Sequence, residues 1–72
     1  MFRYIPFEEA LYSDDLGPYK SFGIRIIDFG GKTVASISDV SADYKFIADL
    51  CELCTLHQLD PVHLVDVIED RI

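Results

Sequence analysis

The stretch that decides the fold is residues 19–37, Tyr19-Lys20-Ser21-Phe22-Gly23-Ile24-Arg25-Ile26-Ile27-Asp28-Phe29-Gly30-Gly31-Lys32-Thr33-Val34-Ala35-Ser36-Ile37. Residues 19–29 are rich in β-branched and aromatic types, which suit a pleated, half-buried surface. Gly30-Gly31 then separates them from a second such run, and paired glycines supply the positive φ that primed hairpin turns need. With Gly30-Gly31 as a two-residue turn, Phe29 faces Lys32, Ile27 faces Val34 and Arg25 faces Ser36. The other side pairs Asp28 with Thr33, Ile26 with Ala35 and Ile24 with Ile37. Continued by Phe22, this second side is almost wholly apolar, whereas the first mixes Arg25 and Ser36 with Ile27, Val34 and Phe29. A side-chain period of two thus sorts the hairpin into an inner and an outer face.

Towards the N-terminus, a strand is expected over about residues 7–13, anchored by Phe7, Leu11 and Tyr12. Asp14-Asp15-Leu16-Gly17-Pro18 is a turn by composition. Together with the hairpin this makes a three-stranded antiparallel meander. Pro6 sets Met1-Phe2-Arg3-Tyr4-Ile5 apart as a short further strand, a lid over the core or a dimer arm.

Beyond residue 37 the pattern changes from strand to helix. Ser41 is a candidate N-cap, and Asp43 in the first turn complements the helix dipole. At 100° per residue, Ile47, Leu50, Cys51 and Cys54 fall in one arc flanked by Phe46 and His57, with Lys45, Asp49 and Glu52 opposite. The helix is expected to stop near His57 or Gln58. Asp60-Pro61 then restarts it, with Asp60 as N-cap and Pro61 at the first helical position. On this second helix Pro61, Leu64, Val65, Ile68 and Ile72 share one arc; His63, Asp66 and Asp70 share the other with Val67. The expectation is a single α+β domain over residues 1–72: an N-terminal arm or short strand at 1–6, a sheet over 7–37 and a two-helix layer over 41–72, β-β-β-α-α with the helices on one face.

Size and charge narrow the function. A chain of 72 residues buries only about 60% of the surface its unfolded form exposes and is marginal without a staple or a partner subunit. Six Lys and Arg against 13 Asp and Glu leave a net charge of −7, which argues against binding to phosphate backbones or anionic lipid. Residues 1–37 contribute 4 − 5 = −1 and residues 38–72 contribute 2 − 8 = −6. The two-helix connection could suggest a DNA-reading motif, but Asp66, Glu69 and Asp70 against Arg71 would be repelled by phosphate. No apolar run approaches the length of a membrane span, and Pro6, Glu8 and Glu9 break any leader-like segment. A soluble cytoplasmic protein with reduced thiols is expected.

Cys51 and Cys54 form a C-x-x-C, but one placed mid-helix on an apolar arc, where thiols act as small hydrophobes. Cys51, Cys54 and His57, with His63 beyond, offer a possible zinc set. Three ligands on one helix spread over about 300° do not converge on a tetrahedron, so no metal is expected. His63, Asp66, Glu69 and Asp70 form a polar constellation that reads first as a solvated helix face. No nucleophile elbow or phosphate loop is present, so an enzyme is not expected, and neither is a cofactor.

Tyr19-Lys20-Ser21-Phe22-Gly23-Ile24, Ser38-Asp39-Val40-Ser41 and His63-Leu64-Val65-Asp66-Val67-Ile68-Glu69-Asp70 resemble a family of short uncharacterised bacterial proteins, mostly from Gram-positive anaerobes, defined as a domain of unknown function. The resemblance spans roughly residues 19–70, and its most specific piece is His-Leu-x-Asp-Val-x-Glu-Asp. It implies no activity or cofactor, and it draws attention to His63, Asp66, Glu69 and Asp70.

The expected function is a non-catalytic interaction module with a protein partner, a homodimer among the options. Its contact surface would be the outer sheet face (Tyr19, Arg25, Ile27, Phe29, Val34) or an exposed sheet edge. The alternative is an acidic inhibitor or regulator that docks Asp49, Glu52, Asp66, Glu69 and Asp70 on a basic partner.

Overall fold

Ile24 and Ile26 lie at the centre of the molecule, 0% and 1% exposed. The structure, a computed structural model, describes residues 1–71. Its elements run β1 (Phe2–Ser13), β2 (Gly17–Asp28), β3 (Thr33–Ser41), α1 (Tyr44–Leu56), a 3₁₀ turn at Pro61–His63 and α2 (Leu64–Arg71). The strands form one antiparallel sheet in the order β1-β2-β3. The fold is the expected α+β meander followed by two helices.

The core is a single layer. Tyr4 from β1 and Ile24 and Ile26 from β2 meet Ile47, Leu50, Cys51 and Cys54 of α1 and Leu64 of α2. Those four α1 residues are the arc that helical periodicity singles out. Full burial of one such side chain contributes about 1.5–3 kcal/mol. Along α2 the contact face is Leu64, Val67 and Ile68, not the expected Leu64, Val65 and Ile68; Val65 is 53% exposed. A 3₁₀ turn advances about 120° per residue, so Pro61–His63 offsets the phase counted from Pro61 as α-helix. The expected position of Ile72 lies outside the described residues.

Two further local expectations change. The N-cap of α1 is Asp43, whose Oδ1 accepts from Phe46 N. Ser41 instead ends β3, and its Oγ accepts from Asp43 N. Asp60 does cap the 3₁₀ turn, accepting from Val62 N, and His57 ends α1.

The central hairpin keeps its expected register in the body and loses it at the tip. Ile24 pairs with Ile37, Arg25 with Ser36 and Ile26 with Ala35, but Ile27 pairs with Thr33. The loop has three residues, Phe29-Gly30-Gly31. Asp28 N donates to Lys32 O, Gly31 N donates to Asp28 O, and Gly31 alone of the glycine pair takes a positive φ, 87°. The Asp28 carboxylate accepts from both Gly30 N and Lys32 N, which favours this turn over a two-residue one. Val34 is the extra residue of a bulge that restores the alignment.

Pro6 does not separate an arm. β1 runs unbroken from Phe2 to Ser13 and pairs with β2 throughout, Phe2 with Asp28 to Ser13 with Gly17. Phe2 N and Tyr4 N donate to Gln58 and Thr55 of the helical layer, away from β2. Donor direction alternates along a strand, so position 6 also points out of the sheet, where proline removes no ladder bond. Residues 1–6 are therefore neither a lid nor a free arm, and the sheet spans residues 2–41 rather than 7–37.

On the outer face, small residues in β2 let β1 side chains lie across it. Phe7 is paired with Gly23, and a Cβ there would lie 2.6 Å from Phe7 Cζ and 2.3 Å from the Ile37 carbonyl oxygen. Since the carbonyl is backbone, Gly23→Ala forces a strand to shift. It is expected to cost about 1–3 kcal/mol, read as a lower urea midpoint at unchanged slope.

Candidate interaction surface

Alternation fixes what the outer face carries. From β1 it takes Arg3, Ile5, Phe7, Glu9 and Leu11; from β2, Tyr19, Ser21, Gly23, Arg25 and Ile27, each opposite its β1 partner. The inner side is marked by the buried Tyr4, Ile24 and Ile26. Nothing in the described chain covers the outer face.

Its two ends differ in charge. Arg25 lies over the Phe7 ring, 5.0 Å from its centroid, with exposed Arg3 one step further along. At the other end Glu9 reaches over Ser21 to β3. Its carboxylate accepts from Ser38 Oγ at 2.6 Å and from Asp39 N at 2.8 Å. This clasps the second irregularity of β3, where Ser38, Asp39 and Val40 stand opposite Gly23 alone. Asp39 has φ 55°, a left-handed conformation that aspartate tolerates. Tyr19 donates its hydroxyl to Asp39 Oδ2 at 3.0 Å, and that hydrogen bond raises the Tyr19 pKa above its usual value.

The five outer-face residues picked from sequence do not make one compact patch. Ile27 and Phe29 line a 290 Å³ cavity with Met1, Phe2, Arg3, Asp28 and Gly31 at the β2–β3 turn. Phe29 stands at the loop tip, 87% exposed, and Val34 is 45% exposed in its bulge instead of facing Ile27. Arg25 sits midway, and Tyr19 at the acidic end. A strand expected only from Phe7, with no register, does not place Ile5, Phe7, Glu9 and Leu11 on this face. The alternation Arg3-x-Ile5-x-Phe7-x-Glu9-x-Leu11 was the signal.

The edges are blunted. Along β1, Thr55 Oγ1 accepts from Tyr4 N at 2.9 Å and donates to Tyr4 O at 3.4 Å. Gln58 Oε1 accepts from Phe2 N at 3.0 Å and its Nε2 donates to Phe2 O at 3.3 Å. Two side chains at the end of α1 thus stand in for a neighbouring strand, and Pro6 follows directly. Tyr4 also donates its hydroxyl to Leu59 O, tying the interhelical loop to the sheet. β3 carries its two bulges, a common protection of edge strands. Neither Thr55 nor Gln58 carries a sequence signal for this role, because only docking of α1 brings them to the edge.

The helical layer presents the acids. Glu52, Asp66, Glu69 and Asp70 are exposed, and among the described residues only Lys20–Glu8 and Lys45–Asp49 form ion pairs. His63 is exposed near them. Cys51 and Cys54 are both in the core, while His57 is exposed at the helix end. Cys54 and His57 line a 160 Å³ cavity with Leu53, Leu59 and Val67, and Cys51 is not part of it. Among the described residues no three His, Cys, Asp or Glu side chains gather into a metal-binding group. No helix of the described residues is long and apolar enough to cross a membrane.

A family model matches residues 2–72, from the first residue of β1 through both helices. The chain belongs to DUF6514, a family of unknown function. No curated protein and no solved structure matches it. In this DUF6514 chain the matched range takes in β1, β2, β3, α1 and α2.

Two predictions come from the clamped edge and the core. Thr55→Val keeps the shape but strands the Tyr4 amide and carbonyl. It is expected to cost about 1–3 kcal/mol and to speed hydrogen exchange at the Tyr4 amide. The core also sets an alkaline limit. Burial raises Tyr4 from 10.0 to about 12 and Cys51 from 9.0 to about 12, with the neighbouring Cys54 adding to both. The folded state holds these protons longer than the unfolded one. Stability is therefore full below pH 9.0 and falls as pH rises towards about 12. Urea midpoints measured from pH 7 to 12 check this, and Tyr4→Phe should flatten part of the decline.

Proposed function

We propose that this DUF6514 chain is a non-catalytic interaction module that docks the outer face of its sheet on a protein partner. One observation carries the reading: the sheet has two faces, and the helical layer covers only one of them. The open face presents Ile5, Phe7, Leu11, Ile27 and Arg25, a mixture of apolar and arginine contacts typical of interface cores. The blunted edges support face docking over strand addition. No cofactor is needed for this role. Two thiols packed as hydrophobes suit a reducing cytoplasm.

The acidic regulator is a second reading, supported by Glu52, Asp66, Glu69 and Asp70, which stand exposed outside any ion pair among the described residues. The two readings separate by mutation. Tagged wild type, Ile27→Asp and the pair Asp66→Lys with Glu69→Lys are used to capture partners, and each hit is re-tested with purified protein. Face docking expects at least about tenfold weaker binding for Ile27→Asp and little change for the lysine pair. The opposite pattern, with binding lost at high salt, supports the acidic reading and overturns face docking.

A further inference from the structure

The charges of the outer face are sorted so that the face complements itself when turned end over end. We propose that the occupant of this face is a second copy of the same chain, stacked sheet to sheet about a two-fold axis that crosses the strands at the Phe7–Gly23 pair. The inference rests on the face-docking reading and names its partner.

The strand register sets the match. Two residues to one side of Phe7–Gly23 lies the row Ile5–Arg25–Ser36; two residues to the other lies Glu9–Ser21, with Asp39 clasped beside it. Rotation about an axis across the strands exchanges these rows. Arg25 of each copy then meets Glu9 and Asp39 of the other, twice over. The next rows also exchange, so Arg3 and Ile27 meet Leu11 and Tyr19. An axis along the strands would keep each row at its own level and set the arginine ends of the two copies against each other, which like charges oppose.

The net charge supports the same occupant. Arg3 and Arg25 against Glu9 and Asp39 give 2 − 2 = 0 on this face, in a chain of net charge −7. The helical side, with Asp49, Glu52, Asp66, Glu69 and Asp70, repels its own copy; the sheet face does not. Gly23 and Ser21 keep the centre low, and the Phe7 ring rests against Gly23. Two such faces can approach to the roughly 10 Å of stacked sheets.

Area sets the strength. Twelve-residue strands at roughly 3.3 Å rise and three strands about 4.8 Å apart outline about 550 Å² per copy. Two copies bury about 1,100 Å², the low end for a specific interface. The dimer is weak, exchanges with monomer, and loosens with salt.

Sedimentation of the wild-type chain from roughly 1 µM to 1 mM is the test, with circular dichroism as a check on folding. Expected are a monomer–dimer equilibrium, loss of the dimer in Arg25→Glu and in Glu9→Lys, and its return when the two variants are mixed, since one face then carries 1 − 3 = −2 and the other 3 − 1 = +2. Should Glu9→Lys fail to fold for want of its Ser38 and Asp39 contacts, the double change Arg3→Glu with Arg25→Glu replaces it. That variant is expected to be monomeric, and wild type to dissociate at about 0.5 M salt. A wild type that stays monomeric to about 1 mM, or a dimer indifferent to the charge changes, overturns the proposal. A monomeric wild type whose captured partner is still lost by Ile27→Asp overturns the second copy alone and leaves face docking standing.

Discussion

A three-stranded sheet has two faces, and the rest of this chain can bury only one. That constraint organises the molecule. Ile24 and Ile26 of the central strand are sealed by the arc Ile47, Leu50, Cys51 and Cys54, with Tyr4 and Leu64 closing the sides. A 13-residue helix is about 20 Å long, against a molecule 39 Å in its longest dimension. Even the covered face is therefore covered over part of its length. Beyond it the inner side turns polar, with Lys20 and Glu8 paired at 3.6 Å. Phe22 and Tyr44 close the margin edge to face, 5.3 Å between centroids.

The chain compensates on the open side with short side chains and long reaches. Gly23 and Ser21 leave room in the middle strand, so Phe7 and Glu9 cross from β1 above it. Their landing points are backbone features: the glycine surface and the N–H of Asp39. The face thereby gains cross-strand contacts without gaining a covering layer. The edges follow the same economy, since Thr55 and Gln58 each satisfy one amide and one carbonyl of β1 without a fourth strand. What remains accessible is a charge-sorted surface, with Arg25 over Phe7 towards one end and Glu9 and Asp39 at the other.

Much of this was legible in the residues. The hydrophobic period changes from two to 3.6 near residue 41, and that change alone places sheet before helices. The four buried residues of α1 follow from helical spacing, and the Ile24–Ile37 and Ile26–Ala35 pairs from placing the turn at the glycines. The structure departs from the sequence expectation where a neighbouring group overrides a local rule. Gly30-Gly31 alone favours a two-residue turn, but the Asp28 carboxylate selects a three-residue loop. Pro6 would break an inner strand but not an edge strand such as β1, and a 3₁₀ turn offsets the phase of the helix that follows it.

Sequence by itself determined the order of elements, the inner face of the hairpin and the buried arc of α1, because each depends on residues a few positions apart whose periodicity is set by backbone geometry. Tertiary structure alone decided that Thr55 and Gln58 cap the β1 edge, that Glu9 clasps the β3 bulge, and that arginine and acid occupy opposite ends of one open face. The edge and bulge contacts join residues 29 to 56 positions apart, and no local period encodes them. They exist only once the strands have paired and the helix has docked.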